Sequence, residues 1–295
     1  MILVGQALNK ELFYVVSVKE KETTQKKPYL SICLANATEK VWTNLWDRSL
    51  SNSPMLEGDY IYVSALVGEY NGSIQLQINN IEKAEGISLA PVSSKVELGD
   101  LKTRFYKIVD TVSKDSESGQ LLKRILADTD LMDKFFSQPA AVEMHHNYVH
   151  GLLQHCISVA EFVSERVSTR EYNIGVVAAL MHDIGKIDCY EFVGPTVKVA
   201  EKGRFIDHIT NGAMILMNFL DGVRPEFIYP FINAILGHHG SLEFGSPVLP
   251  KTPFAWLIYH ADLWDSHTQH LNDLEDWQGW SNKKDRMFNL ELYRI

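Results

Sequence analysis

The chain has 295 residues, of which 45% are hydrophobic and 22% charged, which is the composition of a folded globular protein with room for two domains. Its formal net charge of −9 argues against a protein that holds long duplex DNA mainly through the phosphates. A nucleic-acid substrate is still compatible with this charge, because a metal cluster adds local positive charge that the formal count omits.

Three features of the sequence bear on the cellular compartment. The first ten residues lack the pattern of a signal peptide, and no apolar run approaches the length of a membrane span. The cysteines are Cys33, Cys156 and Cys189, an odd number without CxxC spacing, which argues against a disulfide framework and a zinc ribbon. We therefore expect a cytoplasmic protein without a membrane partner.

Short alternating segments separated by polar or glycine-containing turns predict five strands near the N-terminus. The predicted strands are Leu12–Val18, Tyr29–Leu34, Lys40–Trp46, Asp59–Val67 and Ser73–Asn79. Asn71-Gly72 is a favourable hairpin turn between the last two of these strands. Five strands of this kind favour an all-β OB-fold barrel, whose exposed face commonly carries single-stranded nucleic acid.

Six aromatic residues in this region are open to two interpretations. They either pack in the core and on strand faces, or form a platform on which bases stack. These residues are Tyr29, Trp42, Trp46, Tyr60, Tyr62 and Tyr70.

After residue 98 the spacing of apolar residues changes from every second residue, as in strands, to every third or fourth residue, as in helices. Gly86 and Pro91 interrupt regular structure in the segment just before it, which indicates a linker. We therefore predict an OB-fold domain at residues 1–85, a linker at 86–98 and an all-α domain at 99–295. Helices are expected around 211–220, 227–236 and 254–263, among others.

Histidine and aspartate residues recur in this second part near the predicted helix ends. His182-Asp183 comes just before Gly185, and His238-His239 just before Gly240. His155 faces the apolar side of its helix, and Asp262 falls in an apolar helical stretch where an unpaired carboxylate is costly. A single histidine is more often a surface or core residue than a ligand, but several near helix ends in one domain favour a metal site. Imidazole with carboxylate suits Mn, Fe, Co, Ni or Zn, and a carboxylate can bridge two ions.

The order of these residues resembles that of the HD-domain metal-dependent phosphohydrolases. The motifs that carry the resemblance are His155, His182-Asp183, His208, His238-His239 and Asp262. A closer match is to the YhaM-type 3′-to-5′ exoribonucleases, which also place an OB-fold before the HD domain. That match rests on His145-His146-Asn147-Tyr148 leading into 151–155, and on 237–240 followed by 243–250. The resemblance thus covers nearly the whole chain.

The resemblance implies a site with two divalent ions, for which manganese is the first choice. One ion would be held by His155, His182, Asp183 and Asp262. Asp183 would bridge to a second ion, held by His208 and by His238, His239 or both. The residues implied in catalysis are Asp183, Lys186 and His208, and those implied in substrate binding are His145, His146 and Lys186. Lys186 is equally well explained as a lysine that the dipole favours at a helix C-terminus.

Two positions depart from the pattern of the family. His150 stands where a small residue is expected, and Asp207 precedes His208 where glycine is expected. These departures concern the substrate pocket more than the metal ligands.

The expected function is that of a metal-dependent phosphodiesterase, a 3′-to-5′ exonuclease that shortens single-stranded RNA and releases nucleoside 5′-monophosphates. Single-stranded DNA as a substrate and a homo-oligomeric state stay open. The alternatives are an HD hydrolase of small nucleotides and a non-catalytic nucleic-acid-binding module. An intact ligand set argues against the binding module, and the added OB-fold argues against a substrate that is only a small molecule.

Overall fold

A computed structural model describes residues 2–36, 39–70, 73–92, 94, 96–274, 277–281 and 284–295. The predicted hairpin turn at Asn71-Gly72 lies outside these residues. The chain forms two compact units. The first comprises Met1–Val92, Phe192–Thr196 and Asp276–Ile295, and the second Ser93–Glu191 and Val197–Glu275.

The first unit contains a five-stranded antiparallel sheet in the order β3-β2-β1-β4-β5, which confirms the five predicted strands. The strands are β1 Ala7–Glu22, β2 Pro28–Ala35, β3 Lys40–Trp46, β4 Tyr60–Tyr70 and β5 Ser73–Lys83. One face is buried because apolar residues alternate along the strands, and its members include Phe13, Val15, Leu30, Ile32, Ile61 and Val63.

The register of β1 shifts between Leu8 and Glu11 and again between Val15 and Ser17, and such irregularities bend and twist a strand. The Thr43 hydroxyl of β3 donates a hydrogen bond of 2.5 Å to the Leu76 carbonyl of β5, so side-chain bonding joins the two edge strands. The closed OB-fold barrel stays a prediction.

The second unit is mainly helical. Its helices are α1 Leu98–Val109, α2 Glu117–Ala127, α3 Thr129–Ser137, α4 Gly151–Ser164, α5 Tyr172–Met181, α6 Lys186–Cys189, α7 Glu201–Phe205, α8 His208–Met217, α9 Pro225–Gly237 and α10 Pro253–Asp273. From Gly175 to Met181 every residue of α5 is buried, so this helix lies in the middle of the unit. None of the helices in the described ranges is long and apolar enough to cross a membrane.

The expectation of an all-helical second part is wrong in one respect, because short strands interrupt it. They are β6 Tyr190–Val193, β7 Thr196–Val199, β8 Gly279–Trp280 and β9 Tyr293–Arg294. In the first pair, Gly194 and Pro195 make the turn, with Gly194 at φ 58°, and β-branched residues flank it. Four-residue strands are too short for their alternation to be distinguished from a loop.

Candidate metal centre

The predicted ligands all lie in the second unit, and most of them stand at the ends of helices. His155 lies in the interior of α4 and Asp262 in the interior of α10. The others flank helix termini: His182-Asp183 follow α5, His208 begins α8, and His238-His239 follow α9. A helix end lets the chain turn away after the ligand, so several ligands can approach one point.

One carboxylate oxygen of Asp183 faces the ligands on α4 and α5. Its Oδ2 lies 3.2 Å from Nε2 of His155 and 3.4 Å from Nε2 of His182. Oδ1 of Asp262 lies 3.2 Å from the same His155 nitrogen. The two imidazole nitrogens are themselves 3.2 Å apart. Four predicted ligands of one ion are thus brought together.

The other carboxylate oxygen of Asp183 faces a second group of imidazoles. Its Oδ1 lies 3.6 Å from Nε2 of His208 and 3.4 Å from Nε2 of His238. His239 joins this group, since His208, His238 and His239 each offer a nitrogen within 4.8 Å of the others. The single carboxylate of Asp183 therefore stands between two clusters of ligand atoms.

Three atoms between these groups are buried and have no hydrogen-bond partner in the described part of the chain. They are Oδ1 of Asp183 and the Nε2 atoms of His208 and His238. Leaving a buried polar atom without a partner costs about 1–3 kcal/mol, and more for a charged group. A divalent cation would satisfy all three atoms at once, because neutral imidazole and carboxylate are ligands that such ions prefer. The residues present thus fit the metal that the sequence predicts.

Close backbone contact holds the two halves of the centre together. A Cβ atom added to Gly185 would collide with the carbonyl oxygen of His208 and the backbone nitrogen of Gly212. The side-chain amide of Asn211 donates a hydrogen bond of 2.8 Å to the carbonyl of Gly185. The turn after Asp183 is therefore fixed against the start of the helix that carries His208.

Lys186 is buried at the centre, with 6% of its surface exposed, and is the first residue of α6. Its Nζ lies 2.5 Å from Oδ2 of Asp183. Burial alone would lower the pKa of Lys186, but the negative charge of Asp183 raises it above its usual value. The lysine is thus a buried cation paired with the carboxylate between the two ligand clusters.

Burial and charge set the protonation of the other groups. Burial alone would raise the pKa of Asp183, but the positive charge of Lys186 holds it well below the usual range. Burial lowers the pKa of His182 to about 4 and that of His208 well below its ordinary value. Burial also opposes a charge on His155, but hydrogen bonds to Asp183, Asp262 and Asp265 raise its pKa well above the ordinary value.

The two histidines predicted to contact substrate have different surroundings. His145 is half-buried, its ring centroid is 5.7 Å from that of His155, and its Nδ1 has no hydrogen-bond partner among the described residues. Burial lowers the pKa of His145 to about 3, so its ring is neutral at pH 7. His146 is only 1% exposed, and both of its ring nitrogens have hydrogen-bond partners.

Both departures from the family pattern have a local structural account. His150 precedes α4 at φ 71°, a left-handed conformation that favours glycine, and its Nδ1 donates a hydrogen bond of 2.7 Å to the Phe136 carbonyl. Asp207 has φ −62° and caps α8, where its side chain accepts a hydrogen bond of 2.9 Å from the backbone N–H of Thr210. Asp207 thus stabilises the helix that begins with His208.

Sequence reasoning missed two residues beside the centre, Asp265 and Tyr190. Asp265 is buried one turn after Asp262 on α10, and its Oδ2 lies 2.7 Å from Nδ1 of His155. The signal available was a second aspartate three residues after a predicted ligand, on the same helix face. Tyr190 lies in β6, with its ring centroid 6.3 Å from that of His208, and no sequence pattern distinguishes it from an ordinary strand residue.

The geometry can be compared with known proteins. The HD domain family matches residues 152–266. A protein of Listeria welshimeri named 3′-5′ exoribonuclease YhaM is 26% identical over 300 residues, which are 95% of this chain and 92% of that protein. The protein of the same name from Geobacillus sp. is 26% identical over 262 residues, covering 85% and 80% of the two chains.

Among solved structures, the second OB-fold domain of replication protein A from Methanococcus maripaludis is 22% identical. The match covers 26% of this chain and 82% of that domain, and its TM-score of 0.21 is too low to bear on the fold. The match to the HD domain and the YhaM relatives together confirm the resemblance carried by the motifs. The chain matches the HD domain family over residues 152–266 and is similar, over nearly its whole length, to the proteins named 3′-5′ exoribonuclease YhaM.

Proposed function

We propose that this protein is a metal-dependent 3′-to-5′ exonuclease that shortens single-stranded RNA and releases nucleoside 5′-monophosphates. One observation carries the proposal most: the two oxygens of Asp183 face separate groups of buried ligand atoms. The names of the relatives support the choice of RNA and of the 3′ end.

We assign the predicted ligands to two divalent cations. His155, His182, Asp183 and Asp262 would hold one ion, and Asp183 with His208, His238 and His239 the other. When bound, such ions polarise phosphoryl oxygens and lower the pKa of coordinated water. Manganese is the first choice on resemblance, and Fe, Co, Ni and Zn suit the same donor atoms.

The chain's own side chains orient the substrate in this proposal. Lys186 places a positive charge beside Asp183 without contact with bulk water, which suits stabilisation of a phosphate. His145 offers an unpaired Nδ1 close to His155, so it is available to bind a phosphate or sugar oxygen of the substrate. His208 and Asp183 complete the set proposed for catalysis, and His146 stays a predicted substrate contact.

We propose that the N-terminal sheet is an OB-fold that guides the single strand towards this centre. The proposed domains are 1–85 for binding and 99–295 for chemistry, joined by 86–98. The sheet of β1 to β5, the two register shifts of β1 and the side-chain bond between the edge strands are compatible with that fold. The proposal includes a cytoplasmic location, and activity on single-stranded DNA and self-association belong to its tests.

The polarity of hydrolysis tests the proposal. Full-length protein with Mn²⁺ is incubated with one RNA labelled at its 5′ end and with the same RNA labelled at its 3′ end. We expect the first to give a ladder of shorter products and the second to lose its label at once as a mononucleotide. A circular RNA cut at a comparable rate would contradict the exonuclease. Hydrolysis of a cyclic dinucleotide alone would instead identify a hydrolase of small nucleotides, and binding without turnover would identify a binding module.

A further inference from the structure

Four histidines of the centre are held in place through Nδ1, but not all in the same way. Three of them use backbone carbonyls as acceptors, and these hydrogen bonds are His182 to Ala179 at 2.8 Å, His238 to Ile235 at 2.6 Å and His239 to Phe244 at 2.8 Å. In each case the bond fixes a proton on Nδ1 and leaves the Nε2 lone pair for a ligand. The acceptor of His155 is different, because its Nδ1 lies 2.7 Å from Oδ2 of Asp265.

Asp265 is a buried carboxylate that serves two imidazoles with one oxygen. Asp265 is 6% exposed, and the same Oδ2 lies 3.0 Å from Nε2 of His146. A carboxylate is only an acceptor, so both imidazoles donate to it. His155 must then carry its proton on Nδ1, and His146 must carry one on Nε2.

The remaining nitrogen of His146 extends this arrangement. Its Nδ1 lies 2.8 Å from the hydroxyl of Tyr148, which is itself 3.3 Å from Oε1 of Gln154. Ser94 donates a hydrogen bond of 3.0 Å to the same Oε1 atom, which leaves the single hydroxyl proton of Tyr148 for the shorter contact with His146. With Tyr148 donating over the shorter distance, every nitrogen of His146 and the charged oxygen of Asp265 are satisfied. The residues of this hydrogen-bond series, from Ser94 to His155, all lie within the second unit.

We propose that Asp265 is a positioning residue that fixes His155 as a metal ligand, and that His146 and Tyr148 hold Asp265 in turn. The inference rests on the proposed function, since it concerns the same centre. A carboxylate acceptor raises the basicity of a ligand imidazole, and loss of such a partner typically weakens metal binding about 10–100-fold. His146 thereby supports the ligand shell from a buried position.

The proposal predicts an asymmetric effect on the two ions. Asp265 touches His155, which faces Oδ2 of Asp183, whereas His208, His238 and His239 lie on the side of Oδ1. Loss of the Asp265 charge therefore weakens the ion on the His155 side and leaves the other ion in place.

Calorimetric titration of the full chain with Mn²⁺ tests this. In Asp265→Asn we expect the Kd of one of two sites to rise about 10–100-fold and that of the other to change less than about twofold. Asp133→Asn is the matched control, since Asp133 is an exposed carboxylate on α3, and its titration should equal that of the wild type. Tyr148→Phe removes only the hydroxyl at the far end, and we expect the same site to weaken by a smaller factor.

A second measurement does not depend on a variant. Long-range ¹H–¹⁵N spectra of the Zn²⁺-loaded wild type should show the His155 proton on Nδ1. Unchanged Mn²⁺ affinity at both sites of a folded Asp265→Asn protein, or a proton on Nε2 of His155, would overturn the role of Asp265. A wild type that binds no Mn²⁺ would overturn the proposed function as well, so the two failures are distinguishable.

Discussion

Gly185 sits where two backbones meet, between Asp183 and the start of α8. Substitution with alanine places a methyl group against the His208 carbonyl and the Gly212 nitrogen, and backbone atoms cannot move aside as a flexible side chain can. The turn or the helix must then shift, which separates Asp183 from His208. We expect Gly185→Ala to lose about 1–3 kcal/mol of unfolding free energy through overpacking. Displacement of catalytic groups by about 1 Å can cost on the order of 100-fold in kcat/KM.

The matched control for this change is Gly99→Ala. Gly99 lies in α1, and a Cβ atom added there has no neighbour within 4 Å. Helix propensity predicts a gain of about 1 kcal/mol or less for that variant, with unchanged hydrolysis. Urea denaturation and RNA hydrolysis measure both effects. Equal activity in the two variants would mean that the Gly185 contact does not position the site.

Two opposing effects act on stability at His150, namely a strained left-handed backbone and a hydrogen bond made by its side chain. Its left-handed backbone costs about 1–2 kcal/mol relative to glycine, while its bond to the Phe136 carbonyl contributes about 0.5–1.5 kcal/mol. In His150→Gly the relief of strain and the lost bond nearly offset each other, so stability should change by about 1 kcal/mol or less. His150→Ala keeps the strain and loses the bond, so it should be the less stable variant by roughly 1 kcal/mol. Denaturant unfolding that ranks alanine at or above glycine would contradict this account.

Site residues could be predicted from the sequence where a histidine or aspartate coincides with a predicted helix end. His182-Asp183 before Gly185 and His238-His239 before Gly240 have both signals, and the structure brings these four residues together. Asp265 has the residue type but not the helix end, and an aspartate inside a helix shows its role only once the opposite helix places His155 against it. The left-handed backbone of His150 likewise has no signature in the residue itself.

At the scale of single elements, β3 presents an aromatic stripe to solvent. Val41 and Thr43 point to the buried face, whereas Trp42 is 49% and Trp46 59% exposed. The ring centroid of Tyr29 on β2 lies 4.9 Å from that of Trp46. Large exposed rings side by side suit base stacking. For Tyr29, Trp42 and Trp46, base stacking is therefore the interpretation to test.

We expect Trp42→Ala and Trp46→Ala each to weaken binding of a single-stranded oligonucleotide. Stacking on one aromatic ring is worth about 1–3 kcal/mol per base, which corresponds to about 5–150-fold in Kd. Leu66→Ala on β4 is the matched control, because Leu66 is exposed and apolar but has no π-face. Fluorescence anisotropy in excess chelator, which prevents metal-dependent hydrolysis, gives the affinities. Tryptophan variants that bind as well as the Leu66 variant would remove the stripe from the interface.

Elements were predictable in proportion to their length. The apolar periods of the long helices and the alternation of the five N-terminal strands were sufficient, because each extends over several turns or residue pairs. The hairpin of β6 and β7 was missed, since four residues on either side of Gly194-Pro195 carry too little pattern. Its position directly after Lys186 and Cys189 depends on tertiary contacts that no local period records.

At the scale of the whole molecule, the formal charge of −9 and the buried centre are related. An acidic protein gains little from general attraction to RNA phosphates, so the positive charge that substrate meets must be local. Lys186 provides one such charge and bound cations would provide the remainder. The proposed activity therefore depends on whether this centre holds metal and whether Asp183 links the two ions.

Metal content and hydrolysis, measured together on the wild type and on Asp183→Asn, test this most directly. After loading with Mn²⁺ and desalting, we expect about two ions per wild-type chain and stepwise hydrolysis of 5′-labelled single-stranded RNA. The asparagine variant should keep its circular dichroism spectrum, lose bound metal, and hydrolyse RNA at least on the order of 100-fold more slowly. A folded Asp183→Asn protein with near-normal turnover, or a wild type active in excess chelator, would contradict the account.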